Sequence, residues 1–233
     1  MRMDERVRLP STVGACLFDL DGVLTQTAEL HAAAWKQAFD GVLRGRLQEP
    51  FDVIGDYEAY VDGRPRYDGV RTFLASRGVS LPEGRPGDAP SAMTVHGLGN
   101  RKNELVADLL ERDGVRVYDG SVRFVRAARD AGLRCAVVTS SENAGAVLDA
   151  AGLAVLFDAR VDGRLARAIG LAGKPAPDVF LEGARRLGVG AEQAAVFEDA
   201  EAGVAAGRAG GFRLVVGVDR RDRAERLRAA GAD

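Results

Sequence analysis

The apolar run VGACL leads directly into FDLDGV, which sets two carboxylates, Asp19 and Asp21, one leucine apart at the end of a strand-like segment. Two carboxylates about 4 Å apart repel by roughly 4 kcal/mol at an effective dielectric near 20, so positive charge must sit beside or between them. Three further polar clusters follow: Thr139 and Ser140 ending RCAVVTS, Lys174 alone in GKPAPDVF, and Glu198 with Asp199 ending AAVFED. An acid pair, a hydroxyl, a lysine and a second acid pair suit phosphoryl transfer. A carboxylate such as Asp19 can attack phosphorus to form an aspartyl phosphate, which divides one hard transfer into two easier ones. The phosphoryl oxygens then need fixed donors and cations around them. Thr139 and the backbone N–H groups after it can donate, and Lys174 can neutralise. Mg2+ held on the oxygens of Asp19 and Asp199 would relieve the repulsion. Asp21, expected on the same side of an extended strand as Asp19, would protonate the leaving oxygen and later activate the acceptor.

Each motif also has an ordinary reading in isolation. DLDG resembles a turn, Ser140 or Ser141 of TSSEN can cap a helix, GKPAPDVF is a proline-shaped start of a helix, and EDAEAG is an acidic first turn favoured by the helix dipole. Those readings leave the order and the shared location of the four motifs unexplained.

The elements that must carry them are legible from periodicity. Apolar strand-like runs cover 13–19, 134–140, 194–199 and 212–218, with helical patterns at 120–131, 142–151, 177–188 and 200–209 between them. Strands alternating with helices predict an α/β fold, a doubly wound parallel sheet with helices on both faces. In such sheets ligands collect beyond the carboxyl ends of the strands, where these motifs fall. From about Ala28 to Gly114 the alternation stops. Helix-like patterns at TAELHAAAWKQAFDGVL, YDGVRTFLASRG and NRKNELVADLLERDG predict an inserted helical domain over 28–114, with the core formed by 1–27 and 115–233. Inside it, SLPEGRPGDAPSAMTVHGLG reads as a surface loop by composition.

Composition bounds the partners. The chain has 233 residues, 46% hydrophobic, with a formal charge of −2, which gives no global reason to bind nucleic acid or an anionic membrane and points to a small molecule instead. Cys16 and Cys135 both lie in apolar strand-like runs and read as small buried hydrophobes, which fits a reducing cytosol. MRMDERVRLPST mixes charges of both signs and carries neither a signal-peptide nor a membrane-span pattern. A cytoplasmic, monomeric protein is expected. Its only lysines are Lys36, Lys102 and Lys174 against a large excess of arginine, which draws attention to those three.

The four motifs resemble those of the haloacid dehalogenase superfamily, and the chain as a whole resembles its β-phosphoglucomutase-like branch. The match runs from DLDGVLTQTAELHAAAWK through RKN and VVTSSEN to GKPAPDVF and FEDAEAGVAAGRAGG. The resemblance implies a Rossmann-like core, with Asp19 as nucleophile and Asp21 as general acid/base. It implies Thr139 and Lys174 as phosphate binders, with Ser140, Ser141 and Asn143 beside them, and Asp19, Asp21, Glu198 and Asp199 around Mg2+. The insertion would be a cap domain. In the mutases a histidine and a tryptophan follow the nucleophile loop, and His31 and Trp35 match them, four residues apart on one helix face. Arg66 of GRPR matches the arginine that grips the distal phosphate, and Lys102 another phosphate-facing position. A buried structural tryptophan is the alternative for Trp35, and surface ion pairing for Arg66 and Lys102.

Several positions depart from the mutases. Glu142 of SSEN stands where they carry a lysine, the wrong sign for a second phosphate. Gln26 replaces a hinge acid, and relatives usually add one more strand after GAD. The block VDGRPRYDGVRTFLASRG resembles a bacterial subgroup often treated as hydrolases and sometimes fused to sugar-metabolising domains. The expected function is Mg2+-dependent phosphoryl transfer on a small sugar phosphate, β-phosphoglucomutase-like, as a mutase or a phosphatase. The alternatives are a small-molecule phosphatase, favoured by Glu142, and a non-catalytic phosphate-sensing domain.

Overall fold

A computed structural model describes residues 9–233. Most of MRMDERVRLPST, where no targeting segment is expected, lies outside the described residues. The chain divides into two compact units: the first runs to Gln26 and resumes at Arg116, and the second is Thr27–Val115. Strand β1 (Ala15–Phe18) opens the first unit, and the second contains helices α1 (Ala28–Arg44), α2 (Arg66–Ser76) and α3 (Val95–Asp113) with a π-helical turn at Tyr57–Val61. The first unit continues with α4 (Asp119–Asp130), β2 (Arg134–Val138), α5 (Ala144–Ala150), β3 (Ala159–Val161) and α6 (Gly163–Ala168). It ends with α7 (Asp178–Leu187), β4 (Ala194–Glu198), α8 (Glu201–Ala209), β5 (Leu214–Gly217) and α9 (Ala224–Ala230).

The five strands form one sheet in the order β3-β2-β1-β4-β5, and every pair is parallel. Helices cover both faces, which is why the strands read as unbroken apolar runs. Leu17 faces α7, where a Cβ on Gly183 would meet its Cδ2 at 2.7 Å. Its neighbour Phe18 points to the opposite face and meets Phe124 of α4 at 6.2 Å between ring centroids. The four expected strands are all present. The edge strand β3 is an addition: its three residues, ARV, sit between Asp158 and Asp162 and are too short and too charged to show a pattern.

Strand β1 stops at Phe18, so Asp19 and Asp21 lie beyond it. The carbonyl of Leu20 accepts from the backbone of both Leu24 and Thr25 and from the Thr25 hydroxyl, and Gly22 has φ +93°. The chain therefore turns instead of extending. This corrects the expectation that Asp21 shares a strand face with Asp19, because the period-two rule holds only inside an extended strand.

The two segments that join the units run side by side. Gln26 N donates to the Arg116 carbonyl at 2.8 Å, Gln26 Nε2 to Val117 at 3.2 Å, and Tyr118 N to Leu24 at 2.9 Å.

The second unit packs around aromatic rings: Trp35 stacks on Phe39 at 4.9 Å, and Phe39 and Phe51 lie 4.2 and 5.0 Å from Phe73. Helix α3 begins at Val95, so the VHGLG end of the expected surface loop is helical. Thr94 caps it, accepting from Gly97 N at 2.9 Å. The glycines that hid this helix are there for close approach, since a Cβ on Gly97 would lie 2.3 Å from the Ala92 carbonyl oxygen.

Candidate active site

Strand order reverses about β1, whose neighbours β2 and β4 come later in the chain on opposite sides. Parallel pairing sets Phe18 beside Phe197, so Asp19 and Glu198 emerge next to each other at the carboxyl edge. Asp19 N donates to the Phe197 carbonyl at 3.0 Å, which locks this register. The loop before α7 brings Lys174 into the same place. Its Nζ donates to Asp19 Oδ1 at 2.5 Å, to Glu198 Oε2 at 2.7 Å and to the Val138 carbonyl at 3.2 Å, joining the ends of β1, β4 and β2. Asp19, Lys174, Glu198 and Asp199 are all buried.

Taking so many charges out of water has consequences for each. Burial and the neighbouring charge of Asp19 raise the Glu198 carboxyl, and Lys174 offsets only part of that. Burial by itself would lower Lys174, but Asp19 and Glu198 outweigh it and hold the ammonium charged.

Oxygens of Asp19, Glu198 and Asp199 lie within 4.8 Å of one another, the group among the described residues that could hold an ion. Three carboxylates gathered around a single ammonium favour a further cation beside them, and an all-oxygen donor set suits Mg2+. The Asp21 carboxylate is outside that group, because the turn after β1 takes it to Thr139, whose Oγ1 is 3.5 Å from Asp21 Oδ2.

Thr139 also orders the loop after β2. Its Oγ1 accepts from Ser141 N at 3.1 Å, and Ser141 Oγ accepts from Asn143 N at 3.2 Å. Ser141 thus shapes the approach to α5 from three residues ahead of the helix, and Asn143 is the N-cap residue. Ser140 is half-buried in the same loop. Glu142 is ion-paired with Arg167 of α6.

The turn reading of DLDG holds at Gly22: a Cβ there would fall 2.0 Å from Asp199 Oδ2, so glycine leaves room for the acid and supplies the positive φ. Two residues of this region, Arg220 and Arg223, had no signal in the sequence. Arg220 donates to the carbonyls of Gly22 and Val23 at 3.2 and 3.3 Å and lies 3.8 Å over the Tyr118 ring. Arg223 is buried and donates to the Asp199 carbonyl at 3.1 Å. The block DRRDR gave no signal, because arginine is everywhere in this chain.

In the second unit, Lys102 Nζ lies 2.7 Å from His31 Nδ1 and 5.0 Å from the centre of the Trp35 ring. Burial first, and then the Lys102 charge, hold His31 well below its ordinary pKa. An ammonium can only donate, so Nδ1 accepts and the ring is neutral. Lys102 is buried, so surface ion pairing does not describe it. Trp35 lies in the aromatic core. Arg66 opens α2 with its guanidinium against Tyr67.

Comparison with known proteins brings these features together. The family model for haloacid dehalogenase-like hydrolases matches residues 13–211. A β-phosphoglucomutase of Mycobacterium bovis is 53% identical over 97% of this chain and 89% of its own length. The β-phosphoglucomutase of Bacillus subtilis is 31% identical over 88% and 82%. The crystal structure of a Clostridium difficile β-phosphoglucomutase superimposes with a TM-score of 0.74, at 23% identity, over 92% of this chain and 88% of that one, a likeness of fold.

Proposed function

We propose that this chain, which belongs to the haloacid dehalogenase-like hydrolase family, moves a phosphoryl group between positions of a small sugar phosphate, with Asp19 as the covalent carrier. The buried assembly of Asp19, Lys174, Glu198 and Asp199 at the carboxyl ends of β1 and β4 is the observation that carries this reading.

In the first half-reaction an Asp19 oxygen attacks phosphorus while the bond from phosphorus to the leaving sugar oxygen breaks. Asp21 gives that oxygen a proton. In the second half-reaction Asp21 takes the proton from a sugar hydroxyl, which attacks phosphorus and releases the Asp19 carboxylate. Lys174 balances the charge of Asp19 and Glu198, and Thr139 with the N–H groups of the 139–143 loop donates to the phosphoryl oxygens. Mg2+, on Asp19, Glu198 and Asp199, would supply positive charge against the phosphoryl oxygens. Arg66 and Lys102 are assigned to recognition of the sugar phosphate.

Transfer is favoured over hydrolysis for two reasons. The curated relatives named above are mutases. Glu142, the main argument for a phosphatase, has its charge offset by Arg167. Kinship with enzymes also argues against a purely sensing domain. Product analysis with β-glucose 1-phosphate and a trace of the 1,6-bisphosphate tests the reading: glucose 6-phosphate supports transfer, whereas free phosphate as the main product rejects it.

A further inference from the structure

The environment of Arg66 contains a chain of hydrogen bonds whose direction is fixed at every step. Asn100 Nδ2 donates to the carbonyls of Pro86 and Asp88 at 3.0 and 2.9 Å. Two acceptors facing one amide nitrogen leave Asn100 Oδ1 as the acceptor toward Tyr67, 2.8 Å away. The Tyr67 hydroxyl must therefore give its only proton to Asn100, and toward Arg66 it can only accept. Arg66, which can only donate, meets it through an Nη at 3.1 Å, with the guanidinium carbon 4.8 Å from the ring centre. The ring itself is held firmly: a Cβ on Gly99 would lie 2.7 Å from Tyr67 Cδ1, and the His96 ring is 4.1 Å away. The far end of the chain is equally fixed. Asp88 accepts from the Thr94 hydroxyl at 2.7 Å and from Arg85 N at 3.1 Å, so the 85–94 loop is a folded anchor.

We propose that Tyr67 is a positioning residue for substrate recognition, which sets the plane of the Arg66 fork before substrate arrives and links it through Asn100 to the 85–94 loop. This rests on the reading of Arg66 as the clamp for the phosphate that is not being transferred. An arginine fork loses rotamer freedom when it grips an anion, and a guanidinium already held on a fixed phenol loses less. The loop, Asn100 and Tyr67 thereby become determinants of which phosphorylated sugar is accepted, although none of them needs to touch it.

The test compares kcat/KM on β-glucose 1-phosphate with kcat/KM on p-nitrophenyl phosphate, which has no second recognition element, for Tyr67→Phe, Arg66→Ala and the double variant. Tyr67→Phe should raise KM for the sugar phosphate about five- to tenfold, change kcat less than about twofold, and lower the ratio of the two specificities accordingly. In the Arg66→Ala background the same change should add nothing, since the group it positions is gone. Asn100→Ala, which keeps the phenol, should give a KM rise in the same direction, and it serves if Tyr67→Phe folds poorly. A ratio lowered by Arg66→Ala but not by Tyr67→Phe or Asn100→Ala overturns the positioning role and leaves the clamp standing. A ratio untouched by Arg66→Ala removes the clamp itself. Losses from Tyr67→Phe that persist in the double variant mark Tyr67 as structural and also overturn the proposal.

Discussion

Gly203 and Glu198 are in such close contact that a Cβ on residue 203 would lie 2.1 Å from Glu198 Oε2. Helix propensity alone favours alanine over glycine inside α8 by about 1 kcal/mol. Sterics argue the other way, because Glu198 is held by Lys174 and by Ala200 N at 3.0 Å and can move aside only by giving up those bonds. Gly203→Ala should therefore cut activity at least about tenfold and raise the Mg2+ concentration needed for half activity. Wild-type kinetics in this variant would show that Glu198 can shift without consequence.

Asp19→Asn should abolish turnover while the fold survives, since the amide keeps the shape of the side chain but cannot attack phosphorus. Circular dichroism reads the fold. Activity within about tenfold of wild type, a barrier change of only ~1.4 kcal/mol, would remove Asp19 from the nucleophile role.

Activity should vanish on exhaustive chelation and return with Mg2+ rather than Zn2+, because the donors at the strand ends are hard oxygens. Asp199→Ala should remove the response to metal. Full activity after EDTA would contradict the assignment.

The pairing of Glu142 with Arg167 makes the charge beside the Thr139 loop smaller than the sequence suggests. Glu142→Lys should raise the ratio of transfer to hydrolysis about two- to threefold, since the negative charge it removes is already largely offset. Arg167→Ala should lower that ratio by exposing the glutamate. The two products from β-glucose 1-phosphate report both effects, and an unchanged ratio in both variants would place this pair outside the site's electrostatics.

Stability toward acid should depend on Glu182 of α7, whose carboxyl is held down to about 2 by hydrogen bonds from Arg185 and then Arg186. A lowered folded-state pKa stabilises fully above the unfolded value, near 4.3, and that contribution is lost as the pH falls from there toward about 2. Glu182→Gln should be less stable than wild type in urea at pH 6, and the gap should close in that window. A gap that stays constant with pH would mean the ion pairs are not its source.

What the sequence disclosed and withheld follows from physical scale. Apolar runs and helix periods gave the parallel sheet and the three long helices of the inserted unit, and spacing placed Asp19, Lys174, Glu198 and Asp199 at one edge. Two features misled. The turn at Gly22 redirects Asp21: Asp-Gly signals a turn, and the period-two rule applied to Asp21 reaches one residue pair too far past the apolar run. The glycines of VHGLG imitate a loop because a close approach and a flexible segment use the same residue. Arg220 and Arg223 stayed hidden for a third reason: their partners are backbone carbonyls nearly 200 and 24 residues away, and a carbonyl leaves no mark on the sequence.

The hydrogen bond from Gln26 to Arg116 brings together the two points at which the insertion leaves and rejoins the sheet. For a chain whose ends are already fastened, the entropy of closing the excursion grows only with the logarithm of its length, about 0.6 kcal/mol for each doubling. The catalytic sheet is therefore nearly indifferent to what is inserted there. A lineage can lengthen, shorten or exchange the inserted unit and leave the sheet with its buried Asp19, Lys174, Glu198 and Asp199 in place, so variation can be confined to one excursion without a new core having to be folded around it.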